Sequence, residues 1–132
     1  MPPSYNVYED RCPARQVLDR LADKWALLIL ARIQNEPVRF NQLRRDIKGI
    51  SQKVLSQTLK KLERDGLLSR SVYATVPVTV EYVLTDLGQS LVQTVNTFAH
   101  WAEQHMDAVL LSQAKYDACA VSNTATALNN SI

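Results

Sequence analysis

Apolar positions recur at helical spacing in five stretches of this 132-residue chain, and one region between them alternates instead. Pro13 opens the first stretch, with Ala14, Val17, Leu18 and Leu21 on one side and Arg15, Asp19 and Arg20 on the other. That spacing predicts a short amphipathic helix over 13–22 with Cys12 at its N-cap. Asp23 can cap a second helix from Lys24 to about Asn35, which Trp25, Leu27, Leu28, Ile29, Leu30 and Ile33 make apolar nearly all round and hence central. Pro37 breaks the chain, and Val38–Phe40 reads as a brief extended piece. Asn41 can cap a third helix, with Leu43 and Ile47 fixing its buried side before Gly49 ends it; Ser51 caps a fourth, through about Asp65, closed by Gly66.

After Leu67 the period changes. Leu68 to Tyr73 and Val78 to Thr85 are rich in β-branched and aromatic residues, predicting a hairpin that turns around Thr75-Val76-Pro77. Thr85 or Asp86 then caps a long helix whose stripe runs through Leu87, Leu91, Val95, Phe98, Trp101, Ala102 and His105 or Met106, to about residue 107. Beyond Leu111 the chain is rich in Ser, Thr, Asn and Ala and loses strong periodicity, the mark of a flexible tail. The expected organisation is an N-terminal arm (1–11), one domain (12–107) and a flexible tail (108–132). The order of elements is that of a winged helix-turn-helix: mainly α, of α+β class, with a two-stranded wing, a long C-terminal dimerisation helix and a fourth helix that would enter a DNA major groove.

Composition narrows the function. With 46% hydrophobic and 21% charged residues the chain is globular, and its three isolated glycines, Gly49, Gly66 and Gly88, can form no Gly-rich phosphate loop. The longest apolar run, Trp25 to Ala31, is too short for a membrane span, and the first residues do not read as a secretion signal, so a cytoplasmic protein with no membrane partner is expected. Cys12 and Cys119 lie far apart with no C-x-x-C, and His100 and His105 are five apart, so neither a disulfide scaffold, a metal nor a cofactor is suggested. No Ser/His/Asp grouping or paired carboxylates argue for an enzyme.

The net charge of +2 conceals a segregation. Nine Lys and Arg against three acids between Arg39 and Arg70 give +6 there, leaving −4 for the rest. Duplex DNA rewards such a concentration, because neutralised phosphates release condensed counterions. On the fourth helix Val54, Leu55, Thr58, Leu59 and Leu62 share one side, which leaves a polar and basic face opposite. Gln52, Lys53, Ser56, Gln57 and Lys60 are the candidates for base or adjacent phosphate contact and Arg39, Arg44, Arg45, Lys61 and Arg64 for holding the DNA backbone, with Ser51 also in the DNA-binding set. A solvated helix face would look similar taken alone; the basic helix before it and the hairpin after it favour DNA. The competing reading from another class is a winged-helix protein-interaction module whose basic face takes an acidic partner, and a third, a thiol enzyme built on Cys12, lacks a partner base.

Cys12-Pro13, Asp23-Lys24-Trp25, Leu28-Ile29-Leu30, Arg39-Phe40-Asn41-Gln42-Leu43, Gly49-Ile50-Ser51, Leu62-Glu63-Arg64-Asp65-Gly66-Leu67, Val80-Glu81-Tyr82 and Leu84-Thr85-Asp86-Leu87-Gly88 occur in an order and spacing that resemble the HxlR family of bacterial transcriptional regulators, relatives of MarR-type proteins. The resemblance covers about residues 10 to 107. It implies a homodimeric DNA-binding repressor or activator, joined through its terminal helices on a pseudo-palindromic operator, with repression the expected mode. The wing departs from the family's usual pattern, since Ala74 to Thr79 contains no Arg or Lys.

The long helix offers more apolar surface than one small domain covers, so Leu91, Val95, Phe98, Trp101 and Met106, with Val17 and Leu21 of the first helix, are the expected dimer interface. Cys12, beside Arg11 and Arg15 at a helix N-terminus, is the candidate redox-sensing thiol, since dipole and charge favour thiolate. Several members of the resembled family respond to oxidants, quinones or other electrophiles through a cysteine here; a plain structural N-cap is the competing reading.

Overall fold

A computed structural model describes the backbone of residues 4–130 and the side chains of residues 4–122. Along these described residues run α1 (Pro13–Leu21), α2 (Lys24–Arg32), β1 (Val38–Arg39), α3 (Phe40–Asp46), α4 (Gln52–Arg64), β2 (Leu68–Tyr73), β3 (Thr79–Leu84) and α5 (Asp86–Asn130). Two compact units are distinguished, Met1–Asn96 and Thr97–Ile132. The first three residues of the expected arm lie outside the described residues, and its remainder turns through hydrogen bonds from Glu9 N to Asn6 O (3.1 Å) and from Cys12 N to Glu9 O (3.2 Å).

Caps set the helix starts. Asp23 Oδ1 accepts from Trp25 N at 2.9 Å and Ser51 Oγ from Val54 N at 3.1 Å, each satisfying an N–H that the helix cannot. Cys12 occupies the α1 N-cap in extended conformation, but its side chain makes no capping bond, so Pro13 carries that start. The second helix stops at Arg32 rather than near Asn35. Gln34 Nε2 donates to Ala31 O at 2.6 Å, and Glu36, which precedes Pro37, is disfavoured from helical geometry.

The core of the first unit gathers Ile29, Leu30 and Ile33 with Leu43, Leu55, Leu59, Leu62 and Leu68, all at most 2% exposed. Helix α2 is not buried all round, since Leu28 is 46% exposed. The expected extended piece at 38–40 is in fact a third strand: β1 pairs with β3 (Val38↔Tyr82, Arg39↔Glu81), giving an antiparallel sheet of order β1-β3-β2. Strands β2 and β3 form the expected hairpin, in register from Leu68↔Leu84 to Tyr73↔Thr79. Only Leu68 of β2 is buried, so the rest of that strand stands in solvent as a wing.

Thr85 joins the wing to α5. Its hydroxyl donates to Gly66 O and accepts from Gly88 N at 3.1 Å, while its own N–H reaches Leu67 O at 3.1 Å. Gly88 sits so close to this joint that a Cβ there would lie 2.2 Å from Leu67 O.

Helix α5 continues past residue 107, where the sequence reading ends it, to Asn130, so the backbone of the expected tail is helical over 108–130. After Gly88 the chain holds neither Pro nor Gly, and alanines recur at 114, 118, 120, 125 and 127, so nothing stops the helix. Beyond residue 107 none of the described side chains is buried, and a helix without a buried face needs no apolar stripe, so periodicity fades where the helix does not. The expected tail's last two residues, 131 and 132, lie outside the described residues.

Candidate nucleic-acid interface

Helix α4 shows two faces. Leu55, Thr58, Leu59 and Leu62 are buried, Thr58 settling its hydroxyl on Val54 O at 2.7 Å. Gln52, Lys53, Gln57, Lys60, Lys61 and Arg64 are exposed and Ser56 is half-buried, so burial of one stripe forces the polar one outward. A tight turn precedes it, in which Gly49 takes φ +89, a conformation costly for any residue with a Cβ. Arg44 and Arg45 point outward from α3.

Ion pairing sharpens the charge segregation. Of the basic residues between Arg39 and Arg70, only Arg39 meets an acid among the described residues, loosely, its Nε 3.6 Å from Glu81 Oε1. Two of the three acids in that stretch are instead taken by arginines from outside it: Asp65 pairs with Arg20, and Asp46 with Arg32 at 2.8 Å. The carboxylates are neutralised from behind, and the cations in front stay available for phosphates.

A cleft of about 580 Å³ brings several candidates together. Arg39, Arg45 and Ser56 line it, joined by Asn41, Gln42 and Arg70, and Pro77 to Val80 of the wing with Tyr82 complete its wall. Burial pushes the Tyr82 phenol above its ordinary pKa, against the pull of the neighbouring Arg70. Lys61 is not part of this cleft; it faces a smaller one of about 230 Å³ beside Asp19, Arg20 and Asp23. Lys53, Gln57, Lys60 and Arg64 lie on the open helix face rather than in either hollow.

Sequence reasoning missed Arg70, Asn41 and Gln42 as lining residues. Arg70 could have been found, because it is basic and its strand follows α4 directly; Gln42 offered only its spacing of four from Asp46.

The expected dimer residues divide. Val95 is 4% exposed and belongs to the protomer's own core, and Leu21 and Leu91 pack half-buried against that core. Val17 on α1, and Phe98, Trp101 and Met106 on α5, are 44%, 63%, 56% and 44% exposed. Cys12 is half-buried and Cys119 exposed, both as free thiols. Arg15 extends over the arm, with Nη1 3.3 Å from Tyr8 O. Among the described residues, no helix is long and apolar enough to cross a membrane, and no group of three or more His, Cys, Asp or Glu is placed to hold a metal ion.

Comparison with known proteins places this geometry. The model of an HxlR-like helix-turn-helix family matches residues 20–109. The chain is 42% identical over 105 residues to YtfH of Escherichia coli (strain K12), an uncharacterized HTH-type transcriptional regulator, covering 80% of this chain and 83% of that one. The solved structure of the transcriptional regulator ytfH from Salmonella typhimurium superposes with a TM-score of 0.80 at 39% identity, over 83% of this chain and 98% of that one. The redox regulator HypR in its reduced form is similar at a TM-score of 0.67 and 35% identity, over 74% and 96% of the two chains.

Proposed function

Because the chain belongs to the HxlR-like helix-turn-helix family, and is thus a helix-turn-helix transcriptional regulator, we propose that it acts in the cytoplasm as a homodimeric repressor on a pseudo-palindromic operator. The observation that carries this reading is the basic and amide face of α4, which meets no acid among the described residues, opposite a buried stripe of Leu55, Thr58, Leu59 and Leu62 and next to a cleft closed by the wing. Helix α4, with Gln52, Lys53, Ser56 and Gln57 in its first half and Lys60 just beyond, offers amide, hydroxyl and ammonium groups for base edges and adjacent phosphates. Arg39, Arg44, Arg45, Lys61 and Arg64 hold the DNA backbone, Lys61 from the α1 side of α4.

Dimerisation covers exposed aromatic and aliphatic surface that a monomer leaves in water, with Phe98, Trp101 and Met106 contributing from α5 and Val17 from α1. Cys12 supplies a thiol at a helix N-terminus, and similarity to a redox regulator supports its use as the sensor of an oxidant or other electrophile.

A gel shift of the full chain on DNA from its own upstream region, beside a shuffled duplex, across a salt series tests the reading. Tighter binding to the upstream duplex, weakening steeply with salt, is expected. Equal and weak binding to both would contradict it and favour an acidic protein partner.

A further inference from the structure

Asp46 closes α3 and joins two sides of that helix. Its Oδ2 accepts from Arg32 Nε and lies near Arg32 Nη2, each at 2.8 Å, and its two oxygens face Gln42 Nε2 at 3.2 and 3.0 Å. Gln42 Oε1 in turn accepts from Arg45 Nη2 at 2.9 Å. A primary amide donates from one end and accepts at the other, so committing its NH₂ to a carboxylate aims its carbonyl oppositely. That carbonyl meets Arg45.

The relay runs from back to front. Arg32 and Asp46 line a shallow hollow beside Leu28 and Lys48, whereas Gln42 and Arg45 line the cleft under the wing. Gln42, then Arg32, hold the Asp46 carboxyl below its ordinary pKa.

Building on the DNA reading above, we infer that Asp46 is a positioning residue which, through Gln42, holds the Arg45 guanidinium at the cleft to meet a backbone phosphate, while Arg32 offsets the charge of Asp46 itself. An unrestrained arginine on an exposed helix samples many rotamers and must be ordered each time DNA binds. The Gln42 carbonyl restricts it beforehand and leaves its other N–H donors free for phosphate oxygens.

This role reverses the sign expected of a bare acid. A carboxylate that merely repelled phosphates would, on removal, tighten binding, and its replacement by Ala or Asn would act alike. A positioning carboxylate behaves otherwise: Asp46→Ala takes away the acceptor for Gln42, whereas Asp46→Asn restores a carbonyl in its place. The test is fluorescence anisotropy of the full chain on its upstream duplex over a salt series, with folding checked by thermal melting.

Asp46→Ala should weaken binding several-fold with the salt slope nearly unchanged, because Arg45 still reaches its phosphate at an ordering cost. Arg45→Ala should weaken binding at least as much and reduce the slope by about 0.9, one phosphate contact, the double variant should lose no more than Arg45→Ala alone, and Asp46→Asn should recover most of the Asp46→Ala loss. If Asp46→Ala folds poorly, Gln42→Ala breaks the same relay and should show the same loss. Tighter binding by both Asp46 variants, equal behaviour of Ala and Asn, or additive losses with Arg45→Ala overturn the inference alone. A wild type that binds no duplex overturns the DNA reading and this inference with it.

Discussion

Gln34 and Asn96, 62 residues apart, face each other amide to amide: Gln34 Nε2 donates to Asn96 Oδ1 at 2.6 Å, and Asn96 Nδ2 returns a bond to Gln34 Oε1 at 3.2 Å. Gln89 adds a bond from its Nε2 to Gln34 O at 3.1 Å. The segment after α2 is thereby fixed to the opening turns of α5. Replacing Asn96 by Ala leaves a part-buried amide underpaired, at a cost of about 1–2 kcal/mol. Thermal melting should show a midpoint lower by roughly 3–8 °C; an unchanged midpoint would show the pair to be decorative.

Gly88 gives a sign test. In an open helix position Gly→Ala stabilises by up to about 1 kcal/mol. Here the added Cβ would stand 2.2 Å from Leu67 O, against backbone that cannot swing aside. Gly88→Ala should therefore destabilise by about 2 kcal/mol or more in urea unfolding. Any gain in stability would mean that the joint between the wing and α5 is looser than its contacts imply.

Tyr82 links stability to alkaline pH. Its phenol titrates above its ordinary value because burial disfavours the phenolate, so the folded pKa exceeds the unfolded one of about 10. The associated stability is complete below pH ~10 and is lost as pH rises through the folded value. Urea unfolding of wild type and Tyr82→Phe between pH 8 and 11 should show a steeper alkaline fall in the wild type. Parallel curves would remove Tyr82 from that fall.

For Cys12 the expected outcome is selective. Treatment with diamide or a quinone should weaken operator binding by the wild type in a gel shift and leave Cys12→Ser unaffected. Equal loss in both proteins would leave Cys12 as an N-cap only.

Much of this was legible because local rules and tertiary packing agree. The caps at Asp23 and Ser51, the apolar stripe of α4 and the hairpin from Leu68 to Leu84 follow directly from residue type and period. Two features were only partly legible, for different reasons. Val38 and Arg39 were too few to signal a strand, and only pairing with Tyr82 and Glu81 makes them one. Beyond residue 107 none of the described side chains is buried, so no stripe marks the helix there. Val95 marks another limit, since an apolar stripe can serve a protomer's core or a partner and spacing does not apportion it; here Val95 is buried in the core. In the candidate site the charge segregation was readable, but the pairing of Asp46 and Asp65 with distant arginines was not.

The central claim is that the exposed face of α4 reads DNA, and Lys60 and Gln57 test it as a pair. Binding of wild type, Lys60→Ala and Gln57→Ala would be measured by anisotropy on the upstream duplex and on base-substituted versions of it, over a salt series. Lys60→Ala should weaken all duplexes alike and flatten the salt slope by about 1, whereas Gln57→Ala should change the ranking of the duplexes and keep the slope. Unchanged affinity, ranking and slope in both variants would contradict the account.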